Sequence, residues 1–129
     1  MSLLNELQSL LGPAHVLTGA DAEPYLQDWR RRYRGTAQAV IRPGSATEVA
    51  QAVRLCAQHG APVVPQGGNT GLCGGATPDD SGQAVLLSTA RLNRIRNIDT
   101  DNDTITVEAG CILQAVQQAA ADAGRLFPL

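Results

Sequence analysis

Val63-Val64-Pro65-Gln66-Gly67-Gly68-Asn69-Thr70-Gly71-Leu72-Cys73-Gly74-Gly75-Ala76-Thr77-Pro78 is the stretch on which the reading of this chain turns. Five glycines fall within residues 67–75, and no charged side chain occurs from Ala61 through Pro78. Glycine permits positive φ and lets backbone approach a ligand closely. Successive amides in such a segment can converge on an anion, and Asn69 and Thr70 add side-chain donors. A loop of this kind would neutralise phosphate with backbone N–H groups and not with lysine. It has no Gly-Lys-Ser/Thr, and no three of its glycines fit G-x-G-x-x-G, so neither the P-loop nor the dinucleotide fingerprint applies. A flexible surface loop is the plain alternative. A long glycine segment without serine or charge makes a poor linker, however.

Where the loop begins, residues 62–65 read as a strand at a sheet edge or end, because proline cannot donate to a ladder. Upstream, Ala39-Val40-Ile41 is a short strand ended by Pro43-Gly44, and Ser45-Ala-Thr-Glu48 is a capping box. The helix it opens runs to about His59, with Val49, Ala52, Val53 and Cys56 as its buried stripe and Gly60 as its stop. Cys56 is then a core residue. Strand, helix and strand in this order imply a right-handed parallel crossover.

Downstream, residues 84–88 read as a buried strand. Residues 94–98 and 104–109 read as two more, joined by the polar turn 99–103. Ile105, Val107 and Ala109 point one way and Thr104, Thr106 and Glu108 the other, which suits an antiparallel sheet with one wet face. Residues 112–123 form a last helix with Ile112, Val116, Ala119 and Ala123 inward and Gly124 as its stop. At the front, Leu3, Leu4, Leu7, Leu10 and Leu11 mark an amphipathic helix. Residues 21–28 give a weaker one, with Asp21 as cap and Pro24 in its first turn. Residues 29–35 (Trp-Arg-Arg-Arg-Tyr-Arg-Gly) read as a solvated basic connector whose two aromatics pack down. The fold class expected is α+β: a helical arm over residues 1–36, then over 37–129 a small parallel βαβ layer followed by the start of an antiparallel sheet.

The 129 residues suit one domain, and a formal charge of −2 argues against nucleic-acid binding through bulk charge. Three cysteines without a CxxC pair and two histidines indicate neither a disulfide framework nor a metal site. No apolar run approaches the roughly 18 residues of a membrane span, and the start lacks a basic n-region. A reduced, cytoplasmic setting is the expectation. The end, Arg125-Leu-Phe-Pro-Leu129, has no polar tail, which suggests a piece of a longer protein.

The segment from Pro65 to Pro78 resembles the pyrophosphate loop of the vanillyl-alcohol-oxidase or PCMH-type FAD-binding fold. Asp28-Trp29 with Tyr33-Arg34-Gly35, Leu87-Ser-Thr-Ala-Arg-Leu-Asn-Arg94 and Glu108-Ala-Gly-Cys-Ile-Leu113 are similar to the D-2-hydroxyglutarate dehydrogenase and D-lactate dehydrogenase branch, to which a glycolate oxidase component also belongs. The resemblance implies that Gly67, Gly68, Asn69, Thr70 and Gly71 wrap the FAD pyrophosphate and that Gly75 and Ala76 close the turn. Pro65, Gln66 and Leu72 complete this set, and Pro128 resembles the start of the next flavin-contacting segment. Covalent members of the family carry histidine where this loop has Asn69, which implies non-covalent FAD. Cys73 is then a small packing residue.

The same resemblance implies that the groups acting on a 2-hydroxy acid, and any metal, belong to a later substrate domain. No catalytic or metal-binding residue is therefore assigned within the 129 residues. The implied partners are a small 2-hydroxy acid and an unidentified electron acceptor. Two other readings compete: a different oxidase or reductase of the same fold, or a stand-alone module that binds a nucleotide or a protein through the glycine nest.

Overall fold

A computed structural model describes residues 1–129. Helix α1 (Leu3–Leu11) starts where Ser2 Oγ accepts from Asn5 N at 3.2 Å and stops at Gly12, φ +84°. Its Leu3, Leu7 and Leu11 recur every four residues and are buried. A 3₁₀ turn (Pro13–His15) leads to the two-residue strand β1 (Val16–Leu17). Two more 3₁₀ turns follow, Gly19–Asp21 and Glu23–Tyr25. The weak helix expected over 21–28 is thus not formed. Gly19 takes φ +58° at its start, and Pro24 restricts Glu23 before it.

Strand β2 (Ala39–Ile41) is wholly buried and leads to helix α2 (Ala46–Gln58). Ser45 Oγ accepts from Glu48 N at 3.1 Å, and Glu48 Oε2 accepts from Gly44 N at 2.7 Å. The helix ends at His59–Gly60, where Gly60 has φ +66° and Ala61 N returns to Cys56 O. Strand β3 (Val63–Gln66) comes next, and β4 (Val85–Ser88) follows the glycine loop. The sheet order is β1-β2-β4-β3, so β4 separates β2 from β3, and all three run parallel. Val40 and Val64 flank Leu86, and β1 pairs antiparallel with β2 through Val16 and Ile41.

The two faces of this sheet have different cover. Ala39, Ile41, Val85 and Leu87 share one cluster with Leu3, Leu7 and Leu11 of α1 and Ala52 and Cys56 of α2. His59 Nε2 and Glu6 Oε2, 2.5 Å apart, tie the ends of those helices together. Burial pushes the Cys56 thiol pKa up, as suits a core residue. On the other face Val40 and Leu86 meet Ala22, Leu17 and Tyr25 from β1 and the turns after it. Val53, expected in the buried stripe of α2, is instead 42% exposed, and Leu55 packs against the core in its place.

Strands β5 (Ile95–Asp99) and β6 (Thr104–Val107) form a separate antiparallel pair. Glu108 fastens its base, accepting from Arg94 N and Arg96 Nη2, both at 3.0 Å. These bonds, the Arg94 amide first, hold the Glu108 carboxyl below the usual carboxylate range. Gly110 seats the hairpin against the end of β4: a Cβ there would lie 1.8 Å from Thr89 O. Helix α3 (Leu113–Asp122) buries Val116 and Ala120. Ile112, expected inward, is its N-cap residue and is 72% exposed. Ile95 and Val107, paired at one end of the hairpin, are exposed too, whereas Ile98 and Ile105, paired further along it, are half-buried.

Candidate functional site

Strands β2, β3 and β4 are parallel, so their carboxyl ends reach one edge of the sheet. Open α/β sheets bind ligands at such an edge. The glycine loop leaves β3 there, next to Thr89, which follows β4. Thr89 N donates to Gln66 O at 3.0 Å and closes the edge.

Gln66 itself is 2% exposed, and its side chain holds the loop shut at both ends: Nε2 donates to Tyr25 O at 2.8 Å and to Ala76 O at 3.1 Å. No sequence pattern marks this latch, because its partners come from 41 residues upstream and 10 downstream. Replacing Gln66 with Leu would leave two carbonyls unmet in a closed space. We expect a loss of roughly 1–3 kcal/mol in urea denaturation, together with faster proteolysis between Gly67 and Gly75. A variant as stable and as resistant as the parent would refute the latch.

Asn69 takes φ +56°, and its Nδ2 donates to Gln27 O at 2.8 Å. The left-handed residues of the loop are Asn69 and Gly74 (φ +78°), whereas Gly67, Gly68, Gly71 and Gly75 lie outside that region. Asparagine tolerates it better than most residues do. Gly74 also lies beneath the Tyr33 ring, 2.9 Å from where its Cβ would stand. Tyr33 therefore packs one face onto the loop and leaves the other to solvent, whereas Trp29, 69% exposed, does not pack down as expected.

None of the ten backbone amides from Gly67 to Ala76 donates to a carbonyl of the chain. Gly68, Gly71 and Gly75 have open space where a Cβ would stand. Thr70, Leu72 and Cys73 are exposed, as is Pro65 on β3, while Ala76 is half-buried. An open, uncharged segment with its donors unspent can receive an anion without displacing any internal bond. Pro128 lies elsewhere in the chain, exposed beyond α3 and without a hydrogen bond to the loop.

Residues 37–129 match the family described as FAD binding domain. The chain belongs to that family. This FAD-binding domain is 37% identical over 120 residues to the mitochondrial D-2-hydroxyglutarate dehydrogenase of Bos taurus, covering 91% of the chain and 21% of the relative. It is 40% identical over 110 residues to the D-2-hydroxyglutarate dehydrogenase of Xanthomonas citri pv. viticola, covering 85% of the chain and 23% of the relative. A solved alkyldihydroxyacetonephosphate synthase superposes with a TM-score of 0.82 at 17% identity, over 95% of this chain and 25% of that one. At that identity the likeness shows the fold alone. The chain thus spans about a fifth of the length of the curated relatives it matches. The free amides from Gly67 onward fit the diphosphate of FAD, whose charge they can meet without a lysine.

Proposed function

We propose that this chain is the FAD-binding part of a flavin-dependent oxidoreductase that converts a D-2-hydroxy acid to the 2-oxo acid and holds its flavin non-covalently. The observation that carries the reading is the run of unspent amides at the carboxyl edge of the sheet, in a chain whose relatives are named D-2-hydroxyglutarate dehydrogenases. Gly67 to Gly71 hold the diphosphate, Gly75 and Ala76 close the turn behind it, and Gln66 and Thr89 keep the loop against the sheet. When bound, FAD supplies a two-electron acceptor for the hydrogen on the substrate's α-carbon. The rest of the full-length protein supplies the groups that bind and deprotonate the acid, and an acceptor reoxidises the cofactor.

Asn69 offers no nucleophile for flavin attachment, and its amide is committed to Gln27. Acid precipitation of the full-length protein should therefore release all its FAD to the supernatant. Before that treatment, anaerobic D-2-hydroxyglutarate or D-lactate should bleach the flavin absorbance, and the L-enantiomers should not. Flavin retained in the pellet would contradict the non-covalent mode. Bleaching by phenolic alcohols alone would contradict the substrate class.

A further inference from the structure

The segment between the 3₁₀ turns and β2 is a small hairpin beside the glycine loop. Gln27 and Arg34 bridge across it, Asp28 N donates to Tyr33 O at 3.1 Å, and Gly35 N returns to Leu26 O at 3.0 Å. Asp28 Oδ1 accepts from Arg32 N at 2.7 Å and Tyr33 N at 3.0 Å, which ties the tip to its base. Residue 27 is therefore a fixed point. Its carbonyl accepts from Asn69 Nδ2 at 2.8 Å, and this is the one hydrogen bond that residues 67–73 make with the rest of the chain. Among those residues Asn69 alone is half-buried and alone has left-handed backbone, φ +56°. A left-handed residue beside a right-handed one turns successive amides toward one side, and in this stretch only Asn69 can supply that bend. Glycine would take the conformation at no steric cost. Asparagine takes it less easily and adds an anchor that glycine lacks.

On the reading of the loop as a diphosphate nest, we infer that Asn69 is a positioning residue of that nest. Its side-chain amide donates to Gln27 O and not to the cofactor, and so holds the free amides of Gly67 to Gly71 in the arrangement that receives the anion. Gln66 and Thr89 fix only the ends of the loop. Between those ends a segment rich in glycine and poor in bonds has many backbone states, and the entropy of fixing them would otherwise be drawn from binding. The strut acts before the ligand arrives. Its far end, residue 27, lies upstream of the residues 37–129 that match the FAD-binding family. The cofactor site is thus larger than the matched stretch, with the hairpin as its brace.

The test uses the full-length protein stripped of flavin, with Asn69→Gly and Asn69→Asp. Glycine accepts the left-handed backbone and removes the strut. Aspartate keeps the shape, cannot donate to Gln27 O, and brings a negative charge beside the diphosphate. FAD affinity, read from flavin fluorescence, should fall about tenfold in Asn69→Gly and further in Asn69→Asp. Affinity for inorganic pyrophosphate, read by calorimetry, should fall by the same factor as that for FAD in Asn69→Gly, because the nest itself is loosened. Unchanged affinities in Asn69→Gly overturn the inference and leave the nest standing, whether or not the urea midpoint falls, since Asn69 would then serve stability alone. A loss for FAD without one for pyrophosphate overturns it too, because Asn69 would then touch the cofactor outside its diphosphate. A parent protein that binds no pyrophosphate overturns the nest reading itself.

Discussion

Gly35→Ala is expected to destabilise the chain by about 3 kcal/mol or more, a large share of the roughly 5–15 kcal/mol typical of a domain. The residue is buried where the segment leading to β2 passes under the end of the glycine loop. A Cβ there would stand 1.8 Å from Pro78 O and 2.5 Å from Asp79 O. Both are backbone atoms, so no rotamer change relieves the overlap. The next residue makes retreat harder, because Thr36 N donates to Asp79 O at 2.8 Å. To admit one methyl group, the chain must give up that bond and move Pro78, and with it the return of the loop. Gly60→Ala is the control: Gly60 has φ +66° with nothing within 4 Å of its Cβ position, so alanine there takes on left-handed strain without overlap, a cost of about 1–2 kcal/mol. Urea denaturation followed by circular dichroism measures both. Equal losses in the two variants would show that the contact at Pro78 is softer than its geometry indicates.

The second large effect concerns binding and not folding. In the full-length protein Gly68→Val should lower FAD affinity by at least about a hundredfold through lost charge-assisted amide bonds and a blocked seat, while leaving circular dichroism unchanged. Gly68 is outside the left-handed region, and its Cβ position is open, so the fold accepts a side chain there. What valine fills is the space that a phosphate must occupy. Arg30→Ala serves as the contrast. It removes a charge from the exposed basic hairpin, and amide-based binding predicts almost no change. If Arg30→Ala empties the protein of flavin and Gly68→Val does not, bulk charge and not the amide nest holds the cofactor. The flavin-to-protein absorbance ratio after gel filtration decides between them.

Those expectations rest on a loop whose place is legible in the sequence and whose mechanics are not. The glycine count and the missing charge locate the anion site, and the capping residues Ser45 and Glu48 with the period of Leu3, Leu7 and Leu11 locate α1 and α2. Such signals are local, and sequence carries them directly. Strand β1 escapes because two residues become a strand only by pairing with Val40 and Ile41. The insertion of β4 between β2 and β3 escapes for a similar reason: order within a sheet is a property of distant partners. Val53 and Ile112 depart from expectation because periodicity marks an apolar position without saying whether anything covers it. Within the site the resemblance names Gln66 but not what it does, because its partners, Tyr25 O and Ala76 O, are brought to it only by the fold.

The amides from Gly67 to Ala76 that find no carbonyl in the chain also bear on what holds the protein folded. An anion that takes them binds the native loop and has little hold on the unfolded chain, so occupancy and folding are thermodynamically linked. At free ligand about a hundred times its dissociation constant the native state gains about 2.7 kcal/mol, drawn from a segment that contributes almost no internal bonds of its own. The melting temperature then reports how much cofactor is present. In a cell short of flavin, turnover of the protein would be set by the stability of the empty form, with the loop as the segment most open to proteases.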